Sequence, residues 1–115
     1  MDLYNWDTVK PEQLNPLVGR QCIHSSHMTI ARLHLQKDAV VPKHSHVNEQ
    51  VSMVERGVLK FLFVGREQIV RAGDVLVIPP NAPHGVEVLE DCTVVDIFSP
   101  PREDWIRGDD AYLRR

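Results

Sequence analysis

The chain has 115 residues, fewer than the roughly 150 of an average domain, so its length predicts one domain spanning residues 1–115. Hydrophobic residues make up 43% of the sequence, which is enough for a core without disulfide bonds. The 13 basic and 16 acidic residues give a net charge of -3 with no block of Lys and Arg, and this excludes a typical nucleic-acid-binding protein.

The N-terminal segment and the hydropathy of the chain predict its cellular location. The first residues, MDLYNWDTVK, carry acidic side chains where a secretory signal carries basic ones. No apolar run approaches the roughly 18 to 20 residues of a membrane span. We therefore expect a soluble, cytoplasmic chain with neither nucleic acid nor a membrane as partner.

Short runs rich in β-branched residues follow an N-terminal segment that contains Pro11 and Pro16. Gly, Pro, Asp or Asn bounds each run, which is typical of strands joined by turns. The predicted strands are Met28–Leu35, Glu49–Val54, Val58–Val64, Gln68–Arg71, Val75–Ile78, Gly85–Leu89 and Thr93–Phe98. This spacing predicts an all-β sandwich or small jelly-roll barrel, and residues 102–107 after the last prolines predict one short helical turn.

His44 and His46 are the first candidates for a metal site. Side chains at i and i+2 of an extended strand point to the same face, so both imidazoles can reach one ion. By the same parity, Gln50 lies on the face of His44 and His46, whereas Glu49 points to the other face. His84 follows the proline-rich turn Pro79–Pro83, whose restricted backbone suits a ligand from a distant strand. Taken alone, the pair His44 and His46 is equally consistent with ordinary surface or core histidines, and His84 alone is better explained as a capped loop histidine.

The two histidine segments together resemble the paired motifs of the cupin superfamily. The first is His44-x-His46-x3-Gln50-x6-Gly57 and the second is Gly73-x5-Pro79-x-Asn81-x2-His84. The resemblance covers residues 28–98 and implies a cupin-type double-stranded β-helix, with a divalent metal ion held by His44, His46, Gln50 and His84. Asp38 and Asn81 stand at turn positions where many cupins have Gly, and Val88 replaces a final Asn.

Gln50 stands where most cupins have Glu, so all four expected ligands are neutral. The charge of the ion then stays uncompensated, which favours Lewis-acid polarisation of an anionic or carbonyl substrate over the oxygen chemistry of two His and one carboxylate on iron. Zn, Ni, Mn and Fe all accept imidazole ligands, so the ion's identity stays open. Asn48 is either a lumen residue or a polar loop residue.

Asp96 interrupts the apolar strand CTVVDIF, and a buried carboxylate is costly unless it is paired, protonated or used in chemistry. A neighbouring strand or Arg102 could satisfy it. The functional hypothesis makes Asp96 a general acid or base in the barrel mouth. Arg102 is then expected to clamp a substrate carboxylate with two hydrogen bonds, and Phe98 to form an apolar wall of the substrate site.

The segment from Asp96 to Trp105 and the closing residues Gly108 to Leu113 resemble the tail of KdgF-type cupins of uronate metabolism. That resemblance implies catalytic or substrate-binding roles for Asp96, Phe98 and Arg102. It also implies that the chain converts 4,5-unsaturated monouronates from pectin or alginate into linear ketonised sugars. The partner would then be a small sugar acid.

Two other functions stay open from the sequence: another metal-dependent cupin enzyme, either a dioxygenase or a lyase, and a non-catalytic module that binds a small ligand.

We also expect a homodimer, because small barrels commonly cover an exposed edge strand. Trp6 and Trp105 are expected to pack the chain ends onto the barrel or a partner chain. We expect the two cysteines, Cys22 and Cys92, to be reduced core thiols. No specific role follows for His24, His27 or His34.

Overall fold

A computed structural model describes all residues, Met1–Arg115, as a β-barrel with little helix. The strands are β1 (Glu12–Asn15), β2 (Val18–His24), β3 (Thr29–Leu35), β4 (Val40–His44), β5 (Glu49–Phe63), β6 (Arg66–Arg71), β7 (Val75–Ile78) and β8 (His84–Ser99). One α-helical turn, α1, spans Glu103–Ile106, and 3-10 turns span Trp6–Thr8 and Ala111–Leu113. The predictions of an all-β jelly-roll barrel and of a short helical turn after the last strand are confirmed.

Two long antiparallel strands, β5 and β8, organise the sheet. They pair with each other from Glu49↔Ser99 to Phe63↔His84, and each also pairs with two shorter strands. Strand β8 pairs with β3 and β4, whereas β5 pairs with β6 and β7. Because each long strand passes from one group of short strands to the other, the sheet curls around a single interior.

The prediction of a turn within residues 55–57 was wrong, and so was that of separate strands on either side of residues 90–92. Strand β5 runs through Glu55–Gly57 with shifts in its register against β8, which marks a bulge that bends a strand without ending it. Gly57 has φ of +90°, and a Cβ atom there would lie 2.1 Å from the Asp91 carbonyl oxygen. The turn-like residues are therefore required by the bend and by the close approach of β8.

Strands β1, β2 and β4 were not predicted. β2 places polar Arg20 and Gln21 in buried positions, so it lacks the apolar alternation that identifies a strand. β4 contains Pro42, which is tolerated because the strand pairs only with β8. The hydrophobic core extends beyond residues 28–98 and includes Leu14, Val18, Trp105 and Leu113.

No helix in the structure has both the length and the apolar character needed to cross a membrane.

Candidate metal centre and active site

Three histidines meet at one end of the barrel. His44, the last residue of β4, is paired in register with His84, the first residue of β8, and their ring centroids are 4.4 Å apart. His46 lies beyond the end of β4 in the following loop, with its ring 5.6 Å from that of His44 and 5.1 Å from that of His84. The strand geometry predicted for His46 was thus wrong, although the side chain reaches the expected place. The ligand nitrogens of the three residues lie within 4.8 Å of one another.

Backbone carbonyls set the tautomers of two of the three imidazoles. The Nδ1 atoms of His44 and His84 donate to the carbonyls of Pro42 and Ala82, both at 2.8 Å, so each of these Nε2 atoms keeps its lone pair. His46 has the Asn48 carbonyl 3.1 Å from Nδ1 and the Gln50 side-chain oxygen 3.1 Å from Nε2, so it can donate to only one of them when neutral. With the His46 proton on Nδ1, all three Nε2 atoms are available to a cation.

The pKa values of these histidines keep them neutral. Burial, with a contribution from the positive charge of Arg102, lowers the pKa of His44 and His46 to about 4 and also lowers the pKa of His84. Neutral imidazole is the form that binds metals.

Gln50, the second residue of β5, adds an oxygen to this cluster. Its Nε2 donates to Ser52 Oγ at 3.0 Å, which turns its Oε1 to within 3.1 Å of His46 Nε2. With the His46 proton on Nδ1, the lone pairs of His46 Nε2 and Gln50 Oε1 face each other across this contact. A cation between them would relieve the repulsion, so the donor set of three Nε2 atoms and one amide oxygen fits a divalent metal ion.

A single hydrogen bond joins the loops that hold His46 and His84. The backbone N–H of Asn81 donates to the His46 carbonyl at 2.8 Å. Asn81 and Asp38 have positive φ, +66° and +75°, and Asn and Asp tolerate this conformation better than other non-glycine residues. The left-handed turn geometry that glycine would allow is thus adopted at both positions.

Asp96 points to the interior from β8, opposite Ser52 of β5. It shares this face with buried Val94 and Phe98, as its strand parity predicts. Its Oδ1 is sealed from solvent and makes no hydrogen bond. Burial raises the pKa of Asp96 to about 6, although the Ser52 hydroxyl and the charge of Arg102 both lower it. Ser52, which accepts from the Gln50 amide, is thus the strand partner of Asp96, and Gln50 and Asp96 line the same cavity.

Arg102 is 1% exposed and lies between two aromatic rings. Its guanidinium carbon is 4.7 Å from the ring centre of Phe98 and 4.2 Å from that of Trp105. Nε and Nη2 donate to the two carboxylate oxygens of Asp104 at 3.0 and 2.8 Å. The two-bond clamp predicted for a substrate carboxylate is therefore wrong in geometry, because Asp104 already occupies that edge of the guanidinium.

The sequence did not predict the roles of Ser52, Asp104 and Tyr112. Ser52 was identifiable, since it follows Gln50 at i+2 on the same strand face. Tyr112 lies on a separate segment, and its ring is 4.7 Å from the His44 ring. Asn48 stabilises the segment that leads to Arg102, because its side-chain amide donates to the carbonyls of Pro100 and Pro101.

The remaining titratable candidates lie away from this cluster. His24 and His34 are exposed and contact Thr29 and Gln21. Both cysteines, Cys22 and Cys92, are free, and burial raises the pKa of each to about 11, so neither is a reactive thiolate near neutral pH.

An all-β barrel with three convergent neutral histidines at its mouth defines a small barrel protein with a candidate metal site. Comparison with known proteins is more specific. The cupin domain family (Cupin_2) matches residues 31–98. The pectin degradation protein KdgF of Dickeya dadantii (strain 3937) is 31% identical over 98 residues, which is 83% of this chain and 89% of that protein.

Two solved structures have the same fold over nearly the whole chain. KdgF from a Halomonas species has a TM-score of 0.83 and 26% identity, covering 90% of this chain and 99% of that one. An RmlC-like cupin from Shewanella frigidimarina has a TM-score of 0.84 and 25% identity, covering 91% of this chain and 96% of that one. The chain therefore belongs to the cupin family, as a KdgF-type member.

Proposed function

We propose that this protein is a metal-dependent enzyme that opens and ketonises 4,5-unsaturated monouronates from pectin or alginate breakdown. The observation that carries the proposal is the buried carboxylate of Asp96, with one oxygen unpaired, in a cavity that His44, Gln50 and His84 also line. His46 completes the group of three convergent histidines. The name of the Dickeya relative, a pectin degradation protein, supports the choice of substrate class.

His44, His46, His84 and Gln50 are the residues that would hold the divalent ion. When bound, the ion supplies Lewis-acid stabilisation of negative charge on a substrate oxygen. Since none of the four donors is charged, that stabilisation is not offset by the ligands themselves.

Asp96 has the properties of a group that takes up a proton and returns it. The substrate is a cyclic hemiacetal with a double bond between C4 and C5. Asp96 takes the proton of the C1 hydroxyl, the C1–O5 bond breaks with its electron pair moving to O5, and an aldehyde forms at C1. The resulting enolate at C5 collapses to a ketone as C4 receives the proton from Asp96. No atoms are gained or lost, and a pKa of about 6 suits a carboxyl that both accepts and donates near neutral pH.

The size of the cavity limits where the sugar can lie. The interior space next to the histidines is about 50 Å³, room for a few water molecules but not for a hexuronate. The sugar would therefore lie across the mouth, where His44, His46 and Tyr112 are half-buried, with its reacting atoms directed inward. Phe98 supplies an apolar wall of this cavity, and Arg102 places a positive charge beside it.

The test is to incubate metal-loaded protein with the unsaturated monouronates produced by lyases. The enol-ether absorbance should disappear faster than without protein, with the linear keto sugar as product. Asp96→Asn should reduce the rate at least about 100-fold. The matched control is Asp7→Asn, because Asp7 is exposed and its carboxylate makes no hydrogen bond. An unaccelerated reaction with fully metal-loaded wild-type protein would refute the proposal, and oxygen consumption would indicate a dioxygenase instead.

A further inference from the structure

Tyr112 brings a hydroxyl group to the mouth of the cavity. Its Oη accepts hydrogen bonds from Arg102 Nη2 at 2.7 Å and from Trp105 Nε1 at 3.3 Å. A phenol oxygen accepts at most about two hydrogen bonds and has one O–H to donate. Both acceptor positions are filled, and the O–H has no acceptor within the chain. It is therefore free to donate to a ligand.

The hydrogen bonds of Arg102 leave one part of its guanidinium free. Asp104 takes the N–H of Nε and one N–H of Nη2, and Tyr112 takes the other N–H of Nη2. Nη1 makes no hydrogen bond within the chain and is not among the polar atoms sealed from solvent. Arg102 and Tyr112 line the same cavity and contact each other, so the two side chains that carry the free N–H and the free O–H lie together at the site.

The position of Tyr112 is held from outside the site. Asp110, two residues earlier, is 1% exposed and pairs with Arg20 at 2.8 Å and with Arg114 at 2.9 Å. Asn15 donates to the carbonyl of Leu113 at 3.1 Å. The C-terminal segment is thus anchored on both sides of the tyrosine, and its hydroxyl is preorganised for binding.

Building on the proposed function, we propose that Tyr112 is a substrate-binding residue that completes the carboxylate site. One oxygen of the substrate carboxylate accepts from Arg102 Nη1 and the other accepts from the Tyr112 hydroxyl. The Tyr112 hydroxyl replaces Nη2 as the second donor, because Asp104 and the Tyr112 oxygen together use both N–H groups of Nη2. The pair therefore selects a uronate over its neutral methyl ester.

The experiment measures the affinity of Zn²⁺-loaded protein for D-galacturonate and for its methyl ester, neither of which has the reactive double bond. Tyr112→Phe keeps the ring against His44 and removes only the hydroxyl. Since a hydrogen bond to a charged group changes affinity about tenfold, the preference for the acid should fall about tenfold, with the ester affinity unchanged. Tyr4→Phe is the matched control, because Tyr4 is 55% exposed and makes no side-chain hydrogen bond.

Turnover gives a second measurement. With the unsaturated uronate as substrate, Tyr112→Phe should raise KM about tenfold and leave kcat within about twofold, as expected when ground-state and transition-state binding are lost equally. p-Aminophenylalanine at position 112 restores a donor and should restore the preference. In wild-type protein labelled on its two tyrosines, D-galacturonate should shift the NMR signals of Tyr112 and leave those of Tyr4 unchanged; this measurement needs no variant to fold.

The outcomes separate the two proposals. Acid preference that depends on Tyr112 without turnover of the unsaturated sugar would overturn only the proposed function. Normal turnover with an acid preference unchanged by Tyr112→Phe would overturn only the role of Tyr112. Equal losses for acid and ester would also overturn that role, since they would indicate a structural effect on the whole site.

Discussion

The buried carboxylate of Asp96 is suited to proton transfer, but its burial lowers the stability of the folded protein. Its carboxylate is buried with one oxygen unpaired, and the resulting desolvation disfavours the charged form. The same burial that destabilises the folded protein gives the group a pKa at which it can exchange protons.

The pH dependence of stability should reveal this cost. The pKa of Asp96 in the folded protein, about 6, lies above its ordinary value of 3.8, so the folded state binds more protons than the unfolded state between these values. Stability is therefore lost as pH rises through this window, by roughly 3 kcal/mol in total. Urea unfolding of metal-free Asp96→Asn and wild type measures this loss. Relative to the wild type, the free energy of unfolding of the variant should rise by this amount between about pH 4 and pH 7. A stability difference that is constant with pH would contradict the prediction.

Gln50→Glu tests whether the neutrality of the donors matters. A carboxylate at this position should bind a divalent ion more tightly, and it should offset the charge available to the substrate and repel the ionised form of Asp96. We expect kcat/KM to fall about tenfold or more while metal affinity rises. Both are measured on the same protein, and Gln36→Glu on the exposed surface is the control. Higher activity in Gln50→Glu would argue against a Lewis-acid mechanism.

At the scale of elements, β5 and β8 place the site by their pairing. Gln50 and Ser52 on β5 lie opposite Phe98 and Asp96 on β8, so one candidate metal donor, the hydroxyl that orients it, an acid and an aromatic wall come from one pair of strands. The bulge around Gly57 bends β5 beyond these residues, which lets a single strand serve both groups of short partners.

Gly57→Ala should therefore destabilise the barrel more than other glycine substitutions. Gly57 and Gly65 both have positive φ, which costs about 1 to 2 kcal/mol for alanine. At Gly65 a Cβ meets nothing within 4 Å, whereas at Gly57 it lies 2.1 Å from the backbone of Asp91. We expect urea unfolding to show a loss of about 3 kcal/mol or more for Gly57→Ala. Equal losses in the free energy of unfolding for Gly57→Ala and Gly65→Ala would contradict the prediction, since they would show that β8 moves away from the new side chain without cost.

At the scale of the whole molecule, the candidate metal site joins strands from different parts of the barrel. The four candidate donors come from β4, the loop after it, β5 and β8, and the C-terminal segment covers them with Tyr112. An ion that binds only the folded arrangement stabilises the entire barrel. The homodimer expected from the sequence stays a prediction.

Metal addition should raise the melting temperature of chelator-treated protein. At 100 times the dissociation constant the gain is about 2.7 kcal/mol, or about 10 °C for a domain of this size. His84→Ala should abolish the shift, because it removes one of the convergent nitrogens. His34→Ala should keep it, since His34 lies on the exposed surface. A shift that persists in His84→Ala would place the ion elsewhere.

The residues of the site were predictable from the sequence wherever the chemistry is carried by local patterns. The paired histidine motifs and Gln50 follow from their spacing, and the inward direction of Asp96 follows from strand parity. The parity argument that joined His46 to Gln50 was wrong, because a loop separates the two strands. The long strands were not predictable in the same way, because a glycine at a bulge and a glycine at a turn have the same local signature. Only the close approach of the Asp91 backbone shows that Gly57 lies at a bulge and not at a turn.

The sequence by itself determined the fold class, the family and the identity of the candidate donors, because these depend on side-chain type and near-neighbour spacing. The tertiary structure alone decided which atoms remain free. The Nδ1 atoms are used by backbone carbonyls, Asp104 occupies one edge of Arg102, and a tyrosine from the C-terminal segment meets the site. Hydrogen-bond capacity is filled by whichever partners the folding chain brings near, and those partners lie far apart in sequence.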